Sequence, residues 1–194
     1  MEFTMDYKKV FGSVMFLLKH PAMAWRLVSH EDSVNAMFGN YLYPLVMLCG
    51  TSVLLGRIFT NGIGWDTLYA SLINAALCSV SMLVAYYALS FLLHIFTVKY
   101  TGVEYQRETV NLFTGYSMVV VLVLNICLGL FPDLRLLAFI AQFYTLKIVW
   151  DGASVLMKIN EERRLLYVVI VSVAVMAMPF LIGRLLGFLS VVLN

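Results

Sequence analysis

Charge is scarce in this chain. Asp, Glu, Lys and Arg make up 12% of its 194 residues, where a soluble globular domain carries about 25%. The 13 Lys and Arg stand against 11 Asp and Glu, a net charge of +2 with no long basic run, which excludes the electrostatic footprint of a nucleic-acid binder. Cysteine is rare too. Cys49, Cys78 and Cys127 sit in apolar stretches and share no short spacing, so neither a disulfide framework nor a zinc site is expected. HExxH, GxSxG and glycine-rich phosphate loops are absent, and the histidines, His20, His30 and His94, are scattered. Ser90 and His94 are four residues apart, a spacing common by chance, and no oxyanion element accompanies them. An intramembrane aspartyl protease would need two carboxylates within its spans, and only Asp151 qualifies. No catalytic, cofactor-binding or metal-binding residue is expected, and the chain reads as non-enzymatic.

What remains is apolar surface. At 62% hydrophobic residues and a mean hydropathy of +0.89, the chain reads as an all-α polytopic membrane protein rather than a disordered or water-soluble one. A spanning helix needs about 20 apolar residues. Stretches free of Asp, Glu, Lys and Arg run from Ser33 to Gly56, Thr67 to Val98, Thr109 to Pro132 and Leu165 to Gly183. Leu134–Met157 carries Lys147 and Asp151, with Arg135 at its start, but is otherwise too apolar for a loop. The spans expected are about 39–60, 67–96, 110–131, 134–157 and 165–192, with Pro179 kinking the last. They form one five-helix domain over 39–194, behind a lead-in of residues 1–38.

Lys8, Lys9, Lys19, Arg26, Lys99, Arg107, Lys158, Arg163 and Arg164 then fall on one side of the membrane, and Arg57, Arg135 and Arg184 near the other. The positive-inside rule puts the N-terminus in the cytoplasm and Asn194 outside. Lys8 and Lys9 precede only a short apolar stretch without a small-residue cleavage site, so no cleaved signal peptide is expected. The outer connections, Asn61–Asp66 and Phe131–Asp133, are tight Gly and Pro turns.

In the lead-in, Phe3, Tyr7, Val10, Phe11, Val14, Met15 and Leu18 recur at helical spacing opposite Asp6, Lys8, Lys9 and Ser13. This predicts an amphipathic helix at the cytoplasmic headgroups. A second short helix follows His20-Pro21, with Trp25 as interface anchor and Arg26 meeting lipid phosphate. Phe11, Val14, Leu18, Trp25 and Arg26, with Arg163 and Arg164 of the basic KINEERR loop, are the candidate lipid or partner contacts.

Lys147 lies about ten residues, roughly 15 Å, inside the fourth span. Asp151 is one turn on, and Tyr144 and Ser154 extend the stripe. Such a face marks an ion or proton relay, or else a local ion pair with Lys147 reaching back to the headgroups. Ser71, Ala75 and Ser79, and Gly183 with Gly187, have small-xxx-small spacing that suits internal packing and homo-oligomer formation equally.

Three segments, Phe16–Ser29 (FLLKHPAMAWRLVS), Gln106–Ser117 (QRETVNLFTGYS) and Tyr144–Lys158 (YTLKIVWDGASVLMK) followed by Glu161-Glu162, resemble the Yip domain family. The resemblance implies five spans, a cytoplasmic N-terminus and no catalytic residues. For eukaryotic members, which bind Ypt/Rab GTPases, it implies vesicle trafficking; the short lead-in here resembles the prokaryotic branch and implies a bacterial inner membrane. The family pattern is commonly apolar where Lys147 and Asp151 stand. The function expected is a membrane scaffold or adaptor contacting lipid or a membrane or cytoplasmic protein. The alternative is a small transporter or channel using the Lys147/Asp151 stripe.

Overall fold

Helix punctuation follows local chemistry. The computed structural model describes residues 7–31 and 33–192; Phe3, Asp6 and Asn194 lie outside them. Helices α1 (Tyr7–Lys19) and α2 (Pro21–Glu31) open the chain, Pro21 taking a first-turn position where no N–H is needed. Ser33 caps α3 (Val34–Met37) by accepting from the Ala36 amide at 3.2 Å. A π-helical turn, Phe38–Leu42, leads into α4 (Tyr43–Asn61). Gly62, at φ +77°, stops α4 in a conformation that suits glycine, and Gly102, at φ +72°, does the same for the 37-residue α5 (Trp65–Thr101). Helices α6 (Arg107–Ser117) and α7 (Val119–Leu130) are nearly continuous through Met118.

After a 3-10 turn at Pro132–Leu134 come α8 (Arg135–Gln142), α9 (Thr145–Val155) and the long α10 (Glu161–Val192). Pro179 sits inside α10 and cannot donate to the carbonyl one turn back. Next to that freed carbonyl, the Met176 oxygen receives Gln142 Nε2 at 3.4 Å. All described regular elements are helical.

Four stretches are long and apolar enough to cross a membrane: Val34–Asn61, Trp65–Thr101, Arg107–Leu130 and Glu161–Leu189. The expected span over 134–157 is instead two short helices. They meet at Phe143-Tyr144, where Leu146 N to Phe143 O (3.1 Å) and Lys147 N to Tyr144 O (3.0 Å) are the tighter bonds of a 3-10 turn.

The lead-in packs on the bundle. Val10, Val14, Leu17, Ala24, Trp25 and Val28 belong to the same buried cluster as Tyr41, Tyr86, Phe113 and Tyr167. Helix α2 lies against α9, which also touches α6 and α10. Close helix crossings depend on isolated glycines. A Cβ on Gly56 would collide with the Gly129 carbonyl of α7, and one on Gly50 with the Ser79 hydroxyl of α5. Among the described residues four buried hydroxyls bond back into their own helix, including Ser71 to Thr67 O (2.6 Å) and Thr114 to Val110 O (2.8 Å), and Thr97 reaches Tyr167 of α10 at 2.9 Å.

Candidate functional site

Helix α9 carries the polar stripe because its apolar positions face α2 and α10. Lys147 Nζ lies 3.0 Å from Asp151 Oδ1, one helical turn away. The lysine side chain is 54% exposed and the aspartate side chain 10%, so the pair straddles the edge of the bundle. Asp151 Oδ2 is buried without a hydrogen-bond partner. Ser154 donates to the Asp151 carbonyl at 2.9 Å rather than to the carboxylate. Tyr144, at the α8–α9 joint, donates to Leu18 O of α1 at 2.7 Å. Lys147, Asp151 and Ser154 therefore share α9, with Tyr144 just before it, but the four do not converge on a common center: Tyr144 ties down α1, Lys147 faces outward and Asp151 faces in.

The lead-in differs from its sequence reading in two residues. Trp25, expected as an interface anchor, is fully buried; its Nε1 donates to Ile148 O of α9 at 2.9 Å, and its ring lies 5.6 Å from that of Phe113. Val14, expected to meet lipid or a partner, is buried in the core. The cause is common to both: the apolar face of α1 and α2 is covered by the bundle, and Gly152 leaves room for the indole. Phe11 is 67% exposed, Leu18 is half-buried and Arg26 is exposed.

Arg163 and Tyr100 exchange hydrogen bonds, Arg163 Nη1 to Tyr100 O at 3.3 Å and Tyr100 Oη to Arg163 O at 3.1 Å. Arg164 holds the Ile159 carbonyl through Nε (3.3 Å) and Nη2 (3.1 Å), and its guanidinium lies over Trp150. Arg163 thus ties α10 to the end of α5, and Arg164 braces the α9–α10 connection. Of the small residues, Ala75 and Ser79 meet Gly50, Ser71 is buried, a Cβ on Gly183 would stand 3.9 Å from Ser81 Oγ, and one on Gly187 would stand in open space.

The sequence pattern did not mark a cavity of about 580 Å³ where α5 ends and α6 begins. His94, Lys99, Glu104, Tyr105 and Arg107 line it, and Tyr105 fixes one wall by donating to Met157 O at 2.9 Å. The signal available was the clustering of Lys99, Glu104 and Arg107 in one connection.

Long apolar helices, a shared aromatic core and a shortage of charge define a multi-pass α-helical membrane protein. The Yip1 domain family model matches residues 15–183. The chain belongs to that family. No curated protein and no solved structure matches it.

Proposed function

We propose that this Yip1 domain protein is a non-enzymatic membrane scaffold or adaptor, acting in membrane organization or trafficking through lipid and protein contacts at its cytoplasmic end. In this reading α8 and α9 together make a fifth crossing, the N-terminus is cytoplasmic, and the membrane is a bacterial inner membrane. The observation that carries it is the apolar interior: one apolar and aromatic cluster runs through the bundle and joins α1 and α2 to it, leaving the Lys147–Asp151 pair at the edge. The outward face of α1 and α2, with Phe11, Met15, Met23 and Leu27 exposed, is the surface for membrane or protein contact.

Transport is the second reading, favored by the unpartnered Asp151 Oδ2. Ion and proton flux in proteoliposomes separates the two. A scaffold gives flux equal to protein-free vesicles, with Lys147→Met and Asp151→Asn indistinguishable from wild type. Saturable flux abolished by Lys147→Met overturns the scaffold in favor of transport.

A further inference from the structure

Two arginines converge at the end of the bundle opposite the α9–α10 connection. Arg57, in the last turns of α4, and Arg135, the first residue of α8, line one cavity of about 400 Å³ together with Thr60 and Asn61. Its back wall is the α4–α7 crossing, where Gly56 and Gly129 bring the two backbones together. No carboxylate lines the cavity. Asp66 and Asp133, the nearest acids in sequence, form no ion pair with either guanidinium, and neither arginine has a hydrogen-bond partner among the described residues. Two uncompensated cations facing one concavity repel each other, and an anion between them relieves that repulsion. Guanidinium forks suit the oxygens of a phosphate, which accept paired N–H bonds.

Depth and shape narrow the ligand. Arg57 is four residues from the end of α4, about 6 Å along the helix, and Arg135 follows directly on the Pro132–Leu134 turn. Both stand where spanning helices end, at headgroup level. A second cavity of about 190 Å³ shares Arg135 and Leu128 with the first and continues along α7 and α8 past Val121, Leu124 and Phe139. Its amides are already engaged: Asn125 donates to Val121 O at 2.8 Å and Gln142 to Met176 O at 3.4 Å. The two cavities therefore adjoin at Leu128 and Arg135, so that the cations of the first stand beside the aliphatic and aromatic side chains of the second.

We propose that these adjoining cavities bind an anionic phospholipid, its phosphate between Arg57 and Arg135 and one acyl chain along the α7–α8 groove. Because a free phosphate offers the arginines the same oxygens, the test separates the two sources. Full-length protein is delipidated, mixed with equal amounts of phosphatidylglycerol and phosphatidylcholine in micelles, and retained lipid is read by native mass spectrometry. Wild type retains phosphatidylglycerol preferentially. Arg57→Gln and Arg135→Gln each weaken that retention about tenfold, the scale of a lost charge-assisted bond, while Lys99→Gln, at the opposite end, leaves it unchanged. Equal retention by the Arg57→Gln/Arg135→Gln double variant overturns the site. Displacement of the lipid by millimolar inorganic phosphate or glycerol 3-phosphate overturns the lipid assignment in favor of a soluble phosphate. Should the glutamine variants fail to fold, Arg57→Lys with Arg135→Lys carries the test: charge is kept and the fork lost, so retention falls several-fold, and unchanged retention overturns the assignment.

Discussion

Trp25 and Gly152 make a matched pair whose energetics can be worked from the structure. The indole is fully buried, donates to Ile148 O at 2.9 Å, and lies against Phe113 and Tyr116 with ring centroids 5.6 and 6.1 Å away. A Cβ on Gly152 would stand 2.7 Å from Trp25 Cε2 and 2.8 Å from both Trp25 Cζ2 and Phe113 Cε2. Trp25→Ala in a packed core costs about 3–5 kcal/mol. Lipid tails are as apolar as the core, so the transfer share shrinks and packing remains, placing the expected loss near 3 kcal/mol. Gly152→Ala forces a methyl between two rings and costs about 1–3 kcal/mol. The two effects must not add. With the indole gone, Phe113 can swing into the space it leaves and clear the methyl, and alanine is the better helix former by about 1 kcal/mol, so Gly152→Ala costs much less, or nothing, in the Trp25→Ala background. Steric-trap unfolding in bicelles yields the four free energies, and hydrogen exchange over residues 21–31 reports whether α2 has come away from α9. Additivity within about 0.5 kcal/mol, or unchanged exchange in Trp25→Ala, would refute the packing and return Trp25 to the role of membrane-surface anchor.

Gly56→Ala drives a methyl into the Gly129 carbonyl, which is backbone and cannot rotate aside, so thermal unfolding should show a loss of at least about 1–3 kcal/mol. Gly187→Ala, whose added Cβ would stand in open space, should stay within about 0.5 kcal/mol; equal effects of the two would contradict the α4–α7 crossing. Lys147→Met leaves the buried Asp151 without its 3.0 Å partner, and because Lys147 is half exposed we expect about 1–2 kcal/mol rather than the 3–5 of a fully buried pair. Asp151→Asn should cost less, since the lysine can reach toward headgroups, and Lys147→Met/Asp151→Asn should recover most of the single loss. A double variant worse than Lys147→Met in the same unfolding assay would show that the pair is not self-contained.

Much of the membrane architecture was legible because lipid enforces a simple rule. Every backbone polar group must be satisfied inside a helix, so intervals without charge between Ser33 and Gly56, Thr67 and Val98, and Thr109 and Pro132 had to be helical. The joint at Phe143-Tyr144 was hidden since neither residue is a helix breaker; the change to 3-10 bonding shows only in the hydrogen bonds. Trp25 was hidden for another reason. A short amphipathic helix has the same pattern whether its apolar face meets lipid or protein, and the deciding neighbor, Gly152, lies more than a hundred residues away. Spacing likewise drew attention to Gly183 and Gly187, whereas the closest approaches are made by Gly50, Gly56, Gly115, Gly129 and Gly152. Each of these meets a residue of another helix, so no periodicity along its own helix could reveal it.

Counting charges has a related blind spot. The positive-inside argument weighs Arg163 and Arg164 exactly as it weighs Arg57 and Arg135, since it registers only where cations fall along the chain. Side-chain partners separate them. Arg163 is held by Tyr100 of α5, and Arg164 by Ile159 and Trp150 at the α9–α10 connection. Arg57 and Arg135 come from helices far apart in sequence, share one cavity wall, and have no counter-charge there. Cations engaged by carbonyls serve the fold, and substituting them should first be felt as lost stability. Cations converging without a partner bear on what the protein binds, so substituting Arg57 or Arg135 should change retained lipid well before it changes unfolding.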